Sequence, residues 1–179
     1  MSPRRAAREA ALLVMFAIDA ARMEDAEEAI EAFEGHLRDD EEVVADLFGP
    51  DEGEPSPGFY AHVRRQLSET GQWPFACRLV RGAMSHLAAI DDLVGRCSLN
   101  WKLSRMARVD RNILRLAAYE LAFEPDVPGR ATLNEAIELA KRYGTEDSGK
   151  FVNGILDRIA QDLGRLEERA NDEGGPSGA

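Results

Sequence analysis

The sequence predicts an all-α fold on three observations. Apolar residues recur at three- and four-residue spacing along almost the whole chain. Strand-like alternation bounded by hairpin turns is missing, and Gly and Pro collect at a few breaks between periodic segments. Residues 4–23 are the first predicted helix, with Leu12, Met15, Phe16 and Met23 at helical spacing and Arg4, Arg5 and Arg8 in its first turns. A basic opening before an apolar stretch also fits a signal peptide. Glu9, however, interrupts the basic region, and Asp19 stands where a small-residue cleavage site belongs, so an amphipathic helix is the better reading. A cationic helix start opposes the macrodipole, which favours an outside anionic partner over a merely solvated end.

The second helix is predicted over 24–33, with Ala26, Ala29, Ile30 and Phe33 on one stripe. An acidic Gly/Pro-rich loop follows over 35–58, in which Val43, Val44, Leu47 and Phe48 make one amphipathic turn or two. Residues 59–67 add a short helix. Residues 73–94 read as one long helix that turns Phe75, Leu79, Met84, Leu87, Ile90 and Val94 to a core. Residues 110–123 are apolar on more than one face and stop before Pro125 and Pro128. Thr132 and Glu135 have the spacing of a capping box, and Gly144 suits a left-handed stop to the helix between them. Phe151, Val152, Ile155, Leu156, Ile159 and Leu163 mark the last helix. Residues 1–97 and 98–165 are expected as two helical units, with 166–179 a polar, Gly-rich tail.

A length of 179 residues suits one domain or two small subdomains sharing a core. With 44% hydrophobic and 31% charged residues the chain can build such a core, so disorder and collagen-like repeats are excluded. The longest uncharged apolar run, residues 10–18, is too short to span a bilayer as a helix, so no membrane is expected. Cys77 and Cys97 stand apart with no CxxC, which excludes a disulfide scaffold and a zinc finger and points to the reducing cytoplasm. The two read as small buried hydrophobes.

The formal net charge of −11 belongs to one segment. Residues 24–58 hold 14 of the 33 acidic residues and one base, Arg38, while the rest of the chain has a positive excess of 2. Nucleic acid therefore stays open as a partner. Enzymatic constellations do not occur. His36, His62 and His86 form no HExxH, and no phosphate-binding Gly-rich loop or GxSxG elbow is present, so neither catalysis nor a cofactor is expected. Asp91-Asp92 and Glu146-Asp147 are adjacent pairs that cannot face each other on a helix. Two basic features remain: Arg4, Arg5 and Arg8, and the run Lys102, Arg105, Arg108, Arg111 and Arg115, opposed only by Asp110. Arg130, in the turn after Asp126, is a third candidate. Together they could contact phosphates, with Phe16 and Tyr143 as stacking candidates for single-stranded RNA.

Residues 4–12 (RRAAREAAL), 109–121 (VDRNILRLAAYEL), 133–144 (LNEAIELAKRYG), 146–148 (EDS) and 150–157 (KFVNGILD) resemble the NusB family of bacterial transcription antitermination factors. The likeness covers residues 3–23 and about 73–163, and its C-terminal part is long enough to be specific. It implies two helical bundles packed at an angle, about seven helices in all. It implies a non-catalytic factor that binds single-stranded boxA RNA together with NusE, a ribosomal small-subunit protein, and assembles an antitermination complex on RNA polymerase, notably in ribosomal RNA operons. By the resemblance, Arg4, Arg5, Arg8, Phe16, Asp126 and Arg130 take RNA, and Asp110 and Arg108 face the protein partner. Leu13, Phe16 and Ala6 stand where the family often has Gln, Tyr and a third basic residue, and Gly129 replaces a larger one. Phosphate contacts survive such losses better than base readout does. A homodimeric or protein-interaction module is the alternative reading. A second is an accessory to an RNA-modifying enzyme, because the fold also resembles the N-terminal domain of a ribosomal RNA cytosine methyltransferase.

Overall fold

Pro3 and an alanine-rich run open the chain with a helix whose side chains are buried along most of its length. The computed structural model describes residues 2–39 and 59–166, with the helical backbone alone for 36–39 and 59–62. Among the described residues the order is α1 (Pro3–Ala21), α2 (Ala26–Asp39), α3 (Phe59–Thr70), α4 (Trp73–Ser85), α5 (Leu87–Cys97), a 3-10 turn (Leu103–Arg105), α6 (Arg108–Phe123), α7 (Gly129–Tyr143) and α8 (Ser148–Asp162), with no strand.

Two helices form the axis of the fold. Ala6, Ala7, Ala10 and Ala11 are fully buried on α1, and these small side chains let α4 and α6 approach closely. Helix α6 packs against α1, α4, α5, α7 and α8. Its Ile113, Leu114 and Leu121 join Met15, Phe16, Leu79, Ile90, Leu156 and Ile159 in the core. Each such side chain contributes about 1.5–3 kcal/mol on burial. Helix α1 ends at Ala21 rather than 23, because Arg22 turns left-handed (φ 53°) and Met23 N–H bonds back to Ile18 O at 3.0 Å.

Four expectations are corrected. Helix α2 runs through Asp39, so the acidic loop does not begin at 35. The remainder of that loop from residue 40, including Val43, Val44, Leu47 and Phe48, lies outside the described residues, as does the tail from 167. Residues 73–94 are not one helix. His86 (φ −115°, ψ 19°) breaks the path between α4 and α5, and its ring Nδ1 lies 2.9 Å from Gly82 O. Thr132 is not an N-cap: α7 starts three residues earlier at Gly129, and the Thr132 hydroxyl is bonded to Glu120 instead. Gly144 is extended (ψ −168°), not left-handed. It is needed for space, since a Cβ there would lie 2.3 Å from Ser148 Oγ.

Candidate nucleic-acid interface

The three N-terminal arginines of α1 meet three different environments. Arg4 is exposed and has no carboxylate partner among the described residues; its guanidinium lies 5.1 Å from the centre of the Phe75 ring. Arg5 donates two parallel bonds to Glu135 on α7, Nε to Oε2 at 2.9 Å and Nη2 to Oε1 at 3.0 Å, yet its side chain stays 30% exposed. Those bonds hold the guanidinium more firmly protonated than usual. Arg8 is buried (7%), and donates Nε and Nη2 to the two oxygens of a buried Glu120 at 2.7 and 2.8 Å. Glu120 also accepts the Thr132 hydroxyl at 3.0 Å. The expectation that Arg8 contacts RNA is therefore corrected. Its charge is spent inside the protein, where a guanidinium and a carboxylate must satisfy each other.

The acids that partner these arginines were missed on sequence. A signal existed: Glu9 and Glu120 interrupt otherwise apolar buried stretches, and a buried carboxylate requires a cation. Glu9 Oε1 accepts Arg142 Nη1 at 2.7 Å and the Tyr143 hydroxyl at 3.1 Å, while its Oε2 has no partner. Tyr143, expected as a stacking candidate, is thus partly buried against α1. A depression of about 230 Å³ opens there, lined by Arg5, Glu9, Glu138, Leu139, Lys141 and Arg142.

Phe16 is 1% exposed, so the second stacking candidate belongs to the core. Arg108, expected at the partner face, lies over its ring at 5.4 Å. The expected basic row from 102 to 115 does not form one face. Residues 103–105 make a 3-10 turn, and α6 starts only at Arg108. Arg111 donates to Asp19 Oδ2 from Nε and Nη2 at 2.9 and 2.7 Å, and Arg115 donates to both oxygens of Asp91 at 2.7 and 2.8 Å. Asp110 is buried, with one oxygen unpartnered. Burial pushes its carboxyl up from the usual range, against a smaller pull down from its bond with Ser148.

Asp126 is exposed on the turn between α6 and α7, whereas Arg130, expected in that turn, is exposed on the first turn of α7. A residue not foreseen holds that turn. Arg165 donates to the carbonyls of Leu121, Glu124 and Val127 at 3.1, 3.2 and 2.5 Å. Gly129 makes room for it, since a Cβ there would sit 2.3 Å from Arg165 O. The small residue in this turn thus has a packing cause. Pro128, Gly129, Arg130, Ala131, Asn134 and Arg165 line a depression of about 250 Å³. The cysteines are buried, and burial raises both thiols. Among the described residues no three His, Cys, Asp or Glu side chains gather as metal ligands, and no helix is long and apolar enough to cross a membrane.

Comparison with known proteins matches the sequence and the helical fold. The NusB family profile matches residues 5–161. A transcription antitermination protein NusB of Sorangium cellulosum is 41% identical over 167 residues, covering 93% of this chain and 98% of that protein. A crystal form of Thermotoga maritima NusB superposes with a TM-score of 0.62 at 40% identity, over 90% of this chain and 93% of that one. A crystal structure of the antitermination factors NusB and NusE in complex with double-stranded RNA superposes with a TM-score of 0.58 at 25% identity, over 90% and 98% of the two chains. The all-helical architecture, the ordered α6 to α8 segment and the match across nearly the whole length together show that the chain belongs to the NusB family of transcription antitermination factors.

Proposed function

We propose that this chain binds single-stranded RNA of the boxA type together with NusE, and so helps to assemble an antitermination complex on RNA polymerase in the cytoplasm. It performs no bond-making in this role. The observation that carries the reading is the network around Glu120. By holding Arg8 and Thr132 at once, it links α1 to the first turn of α7 through side chains. Arg4 and the exposed edge of Arg5 flank this bridge on α1, and Arg130 stands exposed two residues before Thr132 on α7, with Asp126 exposed on the turn before it. Arg4, Arg5 and Arg130 supply phosphate contacts, and Asp126 accepts from a base or sugar. Arg8 and Phe16 act as the buried footing of this edge. Asp110 and Arg108, on the first turn of α6, serve the protein partner.

Fluorescence anisotropy with a labelled boxA RNA and a scrambled RNA, with and without NusE, tests this. The boxA RNA binds more tightly, and its log affinity falls with log salt by about 0.7 for each phosphate neutralised. Equal binding of the two RNAs under both conditions overturns the reading.

A further inference from the structure

The exposed cation Arg4 does not stand alone on the surface. Its guanidinium covers one side of the Phe75 ring, and Arg78 covers the same ring at 5.0 Å. Arg78 then reaches Glu124 at 3.1 Å, and Glu124 accepts the Tyr119 hydroxyl, also at 3.1 Å. Tyr119 packs on Phe123 with centroids 5.6 Å apart, and Phe123 on His86 at 4.0 Å. A continuous line of contacts thus joins the N-terminal arginine to an aromatic cluster at the end of α6, three residues before Asp126. Tyr119 is the buried root of that cluster. It lies against the bare Cα of Gly82, where a Cβ would meet its Cζ at 2.0 Å. Phe123 is 40% exposed and His86 is exposed.

We infer that Phe123 and His86 form a stacking step for one unpaired nucleobase, with Arg78 as an additional phosphate contact beside it. This rests on the RNA-binding reading above and names the part of the site that Phe16, being buried, cannot supply. Exposed aromatic rings beside guanidinium groups are the chemistry that holds single-stranded nucleic acid, because every base has a stacking face. Arg78 is 55% exposed while Glu124 is only 12% exposed and also accepts the Tyr119 hydroxyl, so the outer face of the guanidinium can take a phosphate while its inner face stays on Glu124. Two rings on a rigid root lose little conformational freedom when a base is added.

The test uses the full chain with NusE and a labelled single-stranded boxA RNA, titrated at several KCl concentrations. Phe123→Ala weakens binding roughly tenfold, within the range known for base–aromatic stacking, and leaves the salt slope unchanged because no counterion is involved. Arg78→Ala lowers the slope by about 0.7. Phe123→Leu, which keeps apolar bulk and so guards against a folding defect, shows the same loss, and Phe123→Trp restores binding. An RNA with an abasic position at the stacked base binds wild type and Phe123→Ala alike. Wild-type affinity in Phe123→Ala overturns the stacking step while the RNA reading stands. A Phe123→Ala defect in NusE binding measured without RNA also overturns it, in favour of a protein contact. Failure of the wild type to distinguish boxA from scrambled RNA removes both.

Discussion

Helices α1 and α6 each carry a series of arginines, and the two series have opposite fates. On α6, Arg111 and Arg115 are held by Asp19 and Asp91 and are largely buried. On α1, the series is graded from the exposed Arg4 through the half-committed Arg5 to the enclosed Arg8. Spacing along a helix was similar in both. What separates them is where the carboxylates stand in the folded chain, and those arrive from α1, α5, α6 and α7 across long sequence separations. A run of like charges therefore reports a binding surface only after its internal partners have been subtracted.

The largest effect expected is at the enclosed end of the α1 series. Arg8→Met leaves Glu120 buried and uncompensated and costs about 3–5 kcal/mol in denaturant unfolding. Adding Glu120→Leu recovers most of that loss. If the single substitution is silent, the gradient along α1 is not real. Next, Asp19→Ala strips the acceptor from Arg111 and Asn112 and costs about 1.5–3 kcal/mol. It frees a cation on α6 yet leaves RNA affinity unchanged, which a gain in affinity would contradict. Arg5→Ala costs less than about 1 kcal/mol in stability, as a partly exposed pair should. Arg5→Ala and Arg4→Ala each lower the salt slope of RNA binding by about 0.7, and Arg4→Ala leaves the unfolding midpoint in place.

The smallest effect is a pH trend at Asp110, the acid of the α6 series that gains no cation among the described residues. Burial raises its folded-state value, so the folded protein holds this proton more tightly than the unfolded chain does. Stability from that proton is full below the unfolded carboxylate value, about 3.9, and is lost as pH rises through the raised folded value. At neutral pH Asp110→Asn is therefore more stable than wild type, and the difference shrinks toward pH 3. Weaker NusE binding by the same variant would assign the carboxylate to the partner face.

Most helices were legible because an apolar stripe such as Ile113, Leu116, Ala117 and Leu121 has a period that only a helix satisfies. Local signals failed where a distant group claimed the same atom. Thr132 has the spacing of a cap, but its hydroxyl belongs to Glu120 on another helix. The break at His86 has no Gly or Pro to announce it, and Phe16 reads equally well as surface or core until α6 is laid beside it. Within the candidate site, Arg130 stood out as a base just after the Pro-bounded turn, and Asp126 through the family resemblance; both are exposed. The cluster of Arg4, Phe75, Arg78 and Phe123 did not, since it draws on α1, α4 and α6 at once.

Arg165 lies beyond the last helix, yet its guanidinium fastens three carbonyls at the far end of the molecule's central hairpin. Residues 163–166 therefore behave as a latch on the turn that carries Asp126 and leads into Arg130, and not as a loose end. A fusion or affinity label joined after Leu166 should leave that turn in place, whereas one that replaces Arg165 should unfasten it and blunt RNA recognition from a site no transcript touches.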